Sequence, residues 1–173
     1  EMEYNGVYID VKLINELSLN LKEKVKKISD TIYSYADKEF NINSPKQLSE
    51  VLFDDLKLKP IKKRSTASNV LHVLKNYHPI AEELLEYRHL NKLVNTYLDT
   101  LPSFINNDTK RVHTTFNQAR VSTGRLSSNK PNFQNIPIKT DTGKEIRKAF
   151  IPQNDNHYIY SFDYSQIELR ILT

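Results

Sequence analysis

The stretch VKLINELSLNLKEKVKKISDTIYSY, residues 11–35, decides the first part of the fold. Its apolar side chains recur every three or four positions, at Ile14, Leu17, Leu21, Val25, Ile28, Ile32 and Tyr35. This spacing places them on one face of a helix of about seven turns. Asp10 can cap the first turn, because an Asp side chain accepts from free backbone N–H groups. The pattern therefore predicts a long helix with one buried side.

Helical signals continue to about residue 105. Residues 44–47 (SPKQ) predict a helix start, since Ser accepts from a free N–H, Pro needs none at the first position and Gln can close a capping box. Another short helix is predicted from Ser65 or Thr66 through Leu74, ending near His78. A second long helix is predicted over about 80–101. Two long helices with short ones between them predict an antiparallel pair with a helical tip.

The periodicity of the sequence changes after Pro102. Extended segments, recognised by alternating or β-branched residues, are predicted at 111–117, 149–152 and 157–162, with a loop without sustained period at 121–145. Ser165 and Glu168 have the spacing of a capping box and predict a helix that continues to the end of the sequence. A chain that stops inside an apolar helix is expected to be a fragment.

Composition excludes several classes of protein. The 173 residues include 25 Lys and Arg, 21 Asp and Glu, and no Cys, so disulfides, thiolate zinc sites and cysteine nucleophiles are excluded. No apolar run approaches the ~20 residues of a membrane span. The net charge of +4 is uneven: −4 over residues 1–56, +3 over 57–109, +7 over 110–148 and −2 over 149–173. The basic middle of the chain favours an anionic partner.

Three features could carry chemistry, each with a plain structural alternative. Asp163, at the end of a predicted strand, could hold Mg²⁺, or it could be an ordinary loop acid. Residues 122–137 combine Arg, Asn and Gln, which can read the minor groove, or they could satisfy their own turns. Residues 57–68 place five cations and hydroxyls at a helix start and could bind phosphates, or they could be a solvated charge run.

Taken together, these stretches resemble the family A DNA polymerases. Residues 163–170 (DYSQIELR) resemble motif A of that family in its bacterial members. Residues 123–128 (TGRLSS) and 131–137 (PNFQNIP) resemble the segment just upstream, and residues 44–48 and 87–93 resemble the two sides of the thumb.

The resemblance implies an α+β fold that is a fragment of a larger polymerase. Residues 1–105 would form the thumb, with long antiparallel helices and a helical tip, and 106–173 the N-terminal part of the palm. The implied activity is primer extension with dNTPs on a DNA template. Asp163 would bind both catalytic Mg²⁺ ions, and the main-chain carbonyl of Tyr164 would bind one of them.

The resemblance also implies binding roles. Glu168 would be the steric gate against ribonucleotides, with Gln166 near the incoming sugar. Lys139 would touch the triphosphate, although bacterial relatives have Arg there and Lys loses the bidentate fork. Arg125 would sense the paired primer end. Further DNA contacts are expected from Asn132, Gln134, Asn135, Lys46, Lys62, Lys63, Arg64, Ser65, Thr66 and Lys92.

The expected partners are primer-template DNA, dNTPs and the rest of the polymerase chain, with no membrane and a cytoplasmic, nucleoid-associated location. The family's Lys/Tyr helix and its His-Asp-Glu motif are absent, so these residues are expected to be inactive alone. Two alternatives remain open: a non-catalytic duplex-DNA-binding module, and a phage or organellar replicase of the same family.

Overall fold

The structure is a computed structural model that describes residues 1–138 and 140–172, and of Glu168 only the backbone. The α-helices are α1 (Met2–Asn5), α2 (Val11–Ala36), α3 (Pro45–Glu50), α4 (Ser68–Leu74), α5 (Ile80–Leu93), α6 (Asp141–Lys148) and α7 (Ile167–Leu172). The strands are β1 (Tyr8–Ile9), β2 (Thr115–Asn117), β3 (Ser127–Asn129) and β4 (Phe150–Ile151). Long helices with small antiparallel sheets confirm the predicted α+β class. None of the described helices is both long and apolar enough to cross a membrane.

Residues Val11–Phe104 form one compact unit built on α2 and α5. The two helices are antiparallel, because Ser18 near the start of α2 bonds Asp99 beyond α5, while the Tyr35 ring near the end of α2 contacts His78 just before α5. The predicted apolar face of α2 is confirmed for most of its length. It differs at the end, where Ala36 is buried and Tyr35 is 37% exposed.

The core of this unit joins four parts of the chain. A single cluster of buried side chains contains the end of α2, helix α3 with the turn after it, α4 and the start of α5. Ile32, Leu48, Leu71 and Leu84 in this cluster are each fully buried. Burying a side chain of this size contributes about 1.5–3 kcal/mol, so the cluster holds the short helices onto the long pair.

Several helix boundaries differ from the sequence prediction. The second long helix ends at Leu93 and continues as a π-helical segment (Val94–Leu98) and a 3₁₀ turn (Leu101–Phe104). Ser44 caps α3 as expected, but the side-chain Oε1 of Gln47 accepts from the Asn41 N–H (2.7 Å) instead of the Ser44 N–H, so the predicted capping box does not form. Helix α4 begins at Ser68 rather than at Ser65 or Thr66, with Ala67 at the cap position.

Residues Glu1–Asp10 and the chain from Ile105 onward form the second unit. Strand β1 pairs antiparallel with β4, Tyr8 opposite Ile151, and β2 pairs antiparallel with β3, Phe116 opposite Ser128. The prediction assigned residues 1–10 to the helical part. The structure places them here because β1 finds its hydrogen-bonding partner in β4.

The predicted loop at 121–145 was wrong in part. It contains β3, a 3₁₀ turn (Phe133–Asn135) and the start of α6. Thr140 caps α6 by accepting from the Gly143 N–H at 3.1 Å, and Ile146 is fully buried. Helix α6 is only eight residues long, so its buried residues do not repeat often enough to give a recognisable helical periodicity in the sequence.

The predicted strand at 157–162 was also wrong. These residues are extended but form no strand pairing with any described residue, and all are exposed. An alternating sequence becomes a strand only where a neighbour supplies backbone hydrogen bonds. The helix after Asp163 is confirmed as α7, but it begins at Ile167, and Gln166 before it has a positive φ of 52°. Ser165 is therefore not its N-cap.

Candidate nucleic-acid interface and carboxylate site

The basic turn, residues 62–65, lies between α3 and α4 of the Val11–Phe104 unit. The Ser65 N–H donates to the Lys62 carbonyl at 2.8 Å, and the two central residues, Lys63 and Arg64, have positive φ values of 41° and 57°. This is the pattern of a type I′ turn, in which Asn and Gly are usually favoured. The Lys62 and Lys63 side chains are exposed, which leaves their ammonium groups accessible to an anion.

Arg64, predicted as a phosphate contact, is held by the protein. Its guanidinium forms a bidentate pair with Asp54, with Nη1 2.8 Å from Oδ1, and its carbon lies 5.6 Å from the Phe53 ring centre. The hydrogen bond from Arg64 lowers the pKa of Asp54, and the same bond raises the pKa of Arg64. The pair is half exposed, so it fixes geometry more than it adds stability.

Ser65 and Thr66 also have internal roles. The Ser65 hydroxyl accepts from the Ala67 N–H at 3.3 Å. Thr66 is buried, and its carbonyl accepts from Arg88 Nη1 at 2.5 Å. Burial lowers the pKa of Arg88. The residues that follow the basic turn are thus attached to α5.

Sequence reasoning missed part of the cationic surface on α4 and α5. A groove of about 520 Å³ is lined by Lys75, Arg88 and Lys92, together with Glu82 and Glu86. Only Lys92 was predicted. The spacing of Arg88 and Lys92, four residues apart on one helix, places them on the same face and was a usable signal. Lys46, also predicted, is exposed in the first turn of α3.

The residues around Arg125 lie in the second unit, beside the β2–β3 hairpin. Arg125 and Asn135 are exposed. Gln134 holds the loop, since its Oε1 accepts from the Ser128 N–H (2.7 Å) and its Nε2 donates to the Leu126 carbonyl (2.8 Å). Asn132 Oδ1 caps the 3₁₀ turn by accepting from the Gln134 N–H at 3.1 Å. Both predicted amides therefore shape the loop that carries Arg125.

Asp163, Tyr164 and Gln166 follow the extended segment of the second unit, and all three are exposed. Among the described side chains, which exclude those of Lys139, Glu168 and Thr173, no group of three or more His, Cys, Asp or Glu could hold a metal ion. The Asp163 carboxylate and the Tyr164 carbonyl are oxygen donors of the kind Mg²⁺ prefers, so they fit as part of a metal site. The Lys139 prediction lies outside the described residues, as does the side chain of Glu168.

Comparison with known proteins identifies the family. Residues 11–173 match the profile of DNA polymerase family A, so the chain belongs to that family. It is 48% identical over 177 residues to DNA polymerase I of Bacillus caldotenax and 46% identical over 177 residues to the thermostable DNA polymerase I of Thermus aquaticus. Each match covers 99% of this chain, and 20% and 21% of the respective relative.

A solved structure agrees with this assignment. The POL domain of Pol1 from M. smegmatis, in complex with DNA primer-template and dNTP, superposes with a TM-score of 0.86 at 38% identity. The match covers 98% of this chain and 31% of that one. The chain spans about a fifth of the length of the curated relatives it matches. The predicted resemblance to family A polymerases is confirmed.

Proposed function

We propose that this chain is the duplex-binding part, with one catalytic carboxylate, of a DNA-directed DNA polymerase of the DNA polymerase I type. The observation that carries the proposal is the DYSQIELR segment at 163–170, in a chain whose family is established across residues 11–173. The Pol1 domain that it resembles binds DNA primer-template and dNTP. The whole protein would extend a primer with dNTPs, at the nucleoid.

In this proposal, Val11–Phe104 is the thumb and the chain from Ile105 is the N-terminal part of the palm. Exposed cations of the thumb would hold the phosphate backbone, because such contacts position a duplex without reading its sequence. Arg125 would reach the minor groove at the primer end, where its donors meet acceptors common to all base pairs. The thumb residues proposed to contact phosphates are Lys46, Lys62, Lys63 and Lys92. Asn132 and Asn135 are proposed to contact the DNA together with Arg125.

The proposed metal site uses Asp163 and the Tyr164 carbonyl, with two Mg²⁺ ions in the complete active site. The chemistry that bound Mg²⁺ supplies is charge stabilisation in phosphoryl transfer. The exposure of Asp163 supports this role, since a ligand that meets both metal and substrate must be open to solvent. Glu168, Gln166 and Lys139 are proposed to contact the sugar and triphosphate of the nucleotide.

Replacing Asp163 in the full-length protein tests the proposal. Asp163→Asn should lower primer extension at least about a thousandfold, because several kcal/mol of transition-state stabilisation depend on the metal site. Primer-template affinity should stay within about threefold, since no phosphate contact is removed. Single-nucleotide incorporation and a binding titration measure the two quantities.

Asp155→Asn is the matched control, because it removes an exposed acid from the same segment. It should leave extension unchanged. Near-normal extension by Asp163→Asn would show that the metal assignment is wrong. A wild-type full-length protein that binds duplex but extends no primer would instead favour the non-catalytic binding module.

A further inference from the structure

Asp54 is an acidic residue placed within the cationic surface of the Val11–Phe104 unit. It lies in the π-helical segment that follows α3 (Val51–Asp55), and its carboxylate takes both terminal nitrogens of Arg64. Simple electrostatics predicts that an acid here weakens the binding of an anionic partner. The geometry of the basic turn indicates instead that Asp54 strengthens the binding of an anionic partner.

The basic turn has an unfavourable backbone conformation for its sequence. Lys63 and Arg64 both have positive φ values, and a side chain with a Cβ is disfavoured in that region. Two such residues in succession stay in place only when surrounding contacts hold them. The local sequence alone therefore does not fix this turn.

The contacts that hold the turn converge on Arg64. Its guanidinium pairs with Asp54 and lies against the Phe53 ring, and its Nη2 donates to the Ser49 carbonyl at 3.4 Å. The Ser49 hydroxyl donates to the Arg64 carbonyl at 3.2 Å. Lys62 and Lys63, the two residues of the turn before Arg64, form no ion pair with any residue in the described ranges.

We propose that Asp54 is a positioning residue for duplex binding: by holding Arg64 it fixes the turn that presents Lys62 and Lys63 to the phosphate backbone. This inference rests on the proposed function. It assigns a supporting role to a residue whose charge alone would oppose the binding of DNA.

The direction in which one substitution changes the affinity for duplex DNA tests the proposal. In the full-length protein, Asp54→Asn should weaken binding of a duplex oligonucleotide about fivefold at moderate salt, because an exposed pair of this kind is worth up to about a factor of five. Arg64→Lys should weaken it similarly, since Lys keeps the charge and loses the bidentate fork. The double variant should be no weaker than either single variant.

Asp55→Asn is the matched control. Asp55 is the next residue, makes an exposed pair with Lys38 at 2.5 Å and loses the same charge on substitution. It should bind duplex as well as the wild type or slightly better. Fluorescence anisotropy over a range of salt concentrations measures all the affinities, and thermal unfolding verifies that each variant is folded.

Hydrogen exchange provides a readout without DNA. The Ser65 amide, which bonds Lys62 within the turn, should exchange several-fold faster in Asp54→Asn and at the wild-type rate in Asp55→Asn. If Asp54→Asn binds duplex as tightly as the wild type or more tightly, or if its Ser65 exchange is unchanged, the positioning role is overturned and duplex binding by the chain stands. A wild-type full-length protein that binds no duplex overturns both proposals.

Discussion

At the scale of single residues, Gly143 shows a constraint that comes from packing. It lies in the first turn of α6, where the helix approaches Pro137. A Cβ built at this position would lie 2.5 Å from the Pro137 carbonyl oxygen and 2.8 Å from two further atoms of that residue. Because the nearest atom is backbone, it cannot move aside as a flexible side chain would. Glycine is required here for close approach.

Gly143→Ala should therefore destabilise the chain. We expect a loss of about 1–3 kcal/mol in the free energy of unfolding, the range for overpacking a rigid contact, despite the higher helix propensity of alanine. Denaturant unfolding measures it. Lys144→Ala in the same turn, which removes only an exposed pair with Asp141, should stay within about 0.5 kcal/mol. If Gly143→Ala and Lys144→Ala were equally stable, the close approach of α6 to Pro137 would not be what requires glycine at position 143.

At the scale of elements, a small polar cluster joins α2 to the chain beyond α5. Asp99 Oδ1 accepts from Lys22 Nζ at 2.8 Å and from the Ser18 hydroxyl at 2.7 Å. The bond from Lys22, followed by the bond from Ser18, lowers the pKa of Asp99. A carboxylate with a lowered folded-state pKa stabilises the fold above its unfolded pKa, and this contribution is lost as pH falls through the folded value.

Asp99→Asn should lower the free energy of unfolding by about 0.5–1 kcal/mol near neutral pH, a modest value because the carboxylate is 38% exposed. The difference from the wild type should shrink as pH falls below the ordinary Asp pKa of about 3.9, which holds in the unfolded chain, and on through the lowered folded-state pKa of Asp99. Unfolding measured at pH 7 and pH 3 tests the trend.

Asp30→Asn provides the comparison for this trend. It removes an exposed acid of α2 that forms no salt bridge with a residue of the described ranges. Its free energy of unfolding should therefore stay within about 0.5 kcal/mol of the wild type at both pH 7 and pH 3. A stability gap for Asp99→Asn that is as large at pH 3 as at pH 7 would disagree with the pKa argument.

At the scale of the whole molecule, the segment before α7 is the most exposed part of the second unit. Residues 152–166 contain neither helix nor strand, and Tyr158, Tyr160, Phe162 and Tyr164 are 73–90% exposed. The first three rings contact one another along the extended chain, at centroid distances of 6.2–6.3 Å. Those contacts cover little of the aromatic surface.

Chymotrypsin should therefore cut this chain first between Tyr158 and Tyr164, since proteases need an extended, accessible backbone. Mass spectrometry of brief digests identifies the site. Trypsin is the comparison, because there is no Lys or Arg between Lys148 and Arg170, and it should leave this segment whole. Within Val11–Phe104, Phe53, Tyr87 and Tyr97 are buried, and the exposed Tyr77 lies in a hydrogen-bonded turn after α4. An initial chymotryptic cut in that unit would contradict the prediction.

The sequence by itself determined the long helices, the α+β class and the family. The spacing of Ile14, Leu21 and Ile32 persists over many turns, so helical periodicity outweighs local variation. Consecutive motif residues at 163–170 carry family information without any knowledge of contacts. The cationic middle of the chain was likewise evident from charge alone, because charge distribution along a sequence is independent of packing.

Tertiary structure decided everything that depends on a partner distant in the sequence. Residues 157–162 alternate like a strand but find no pairing among the described residues, while Tyr8 and Ile9 become a strand because Phe150 and Ile151 lie beside them. Arg64 had the sequence context of a phosphate contact, and only the folded chain showed that Asp54 holds it. A side chain's type limits the bonds it can make, but the fold chooses which partner is within reach.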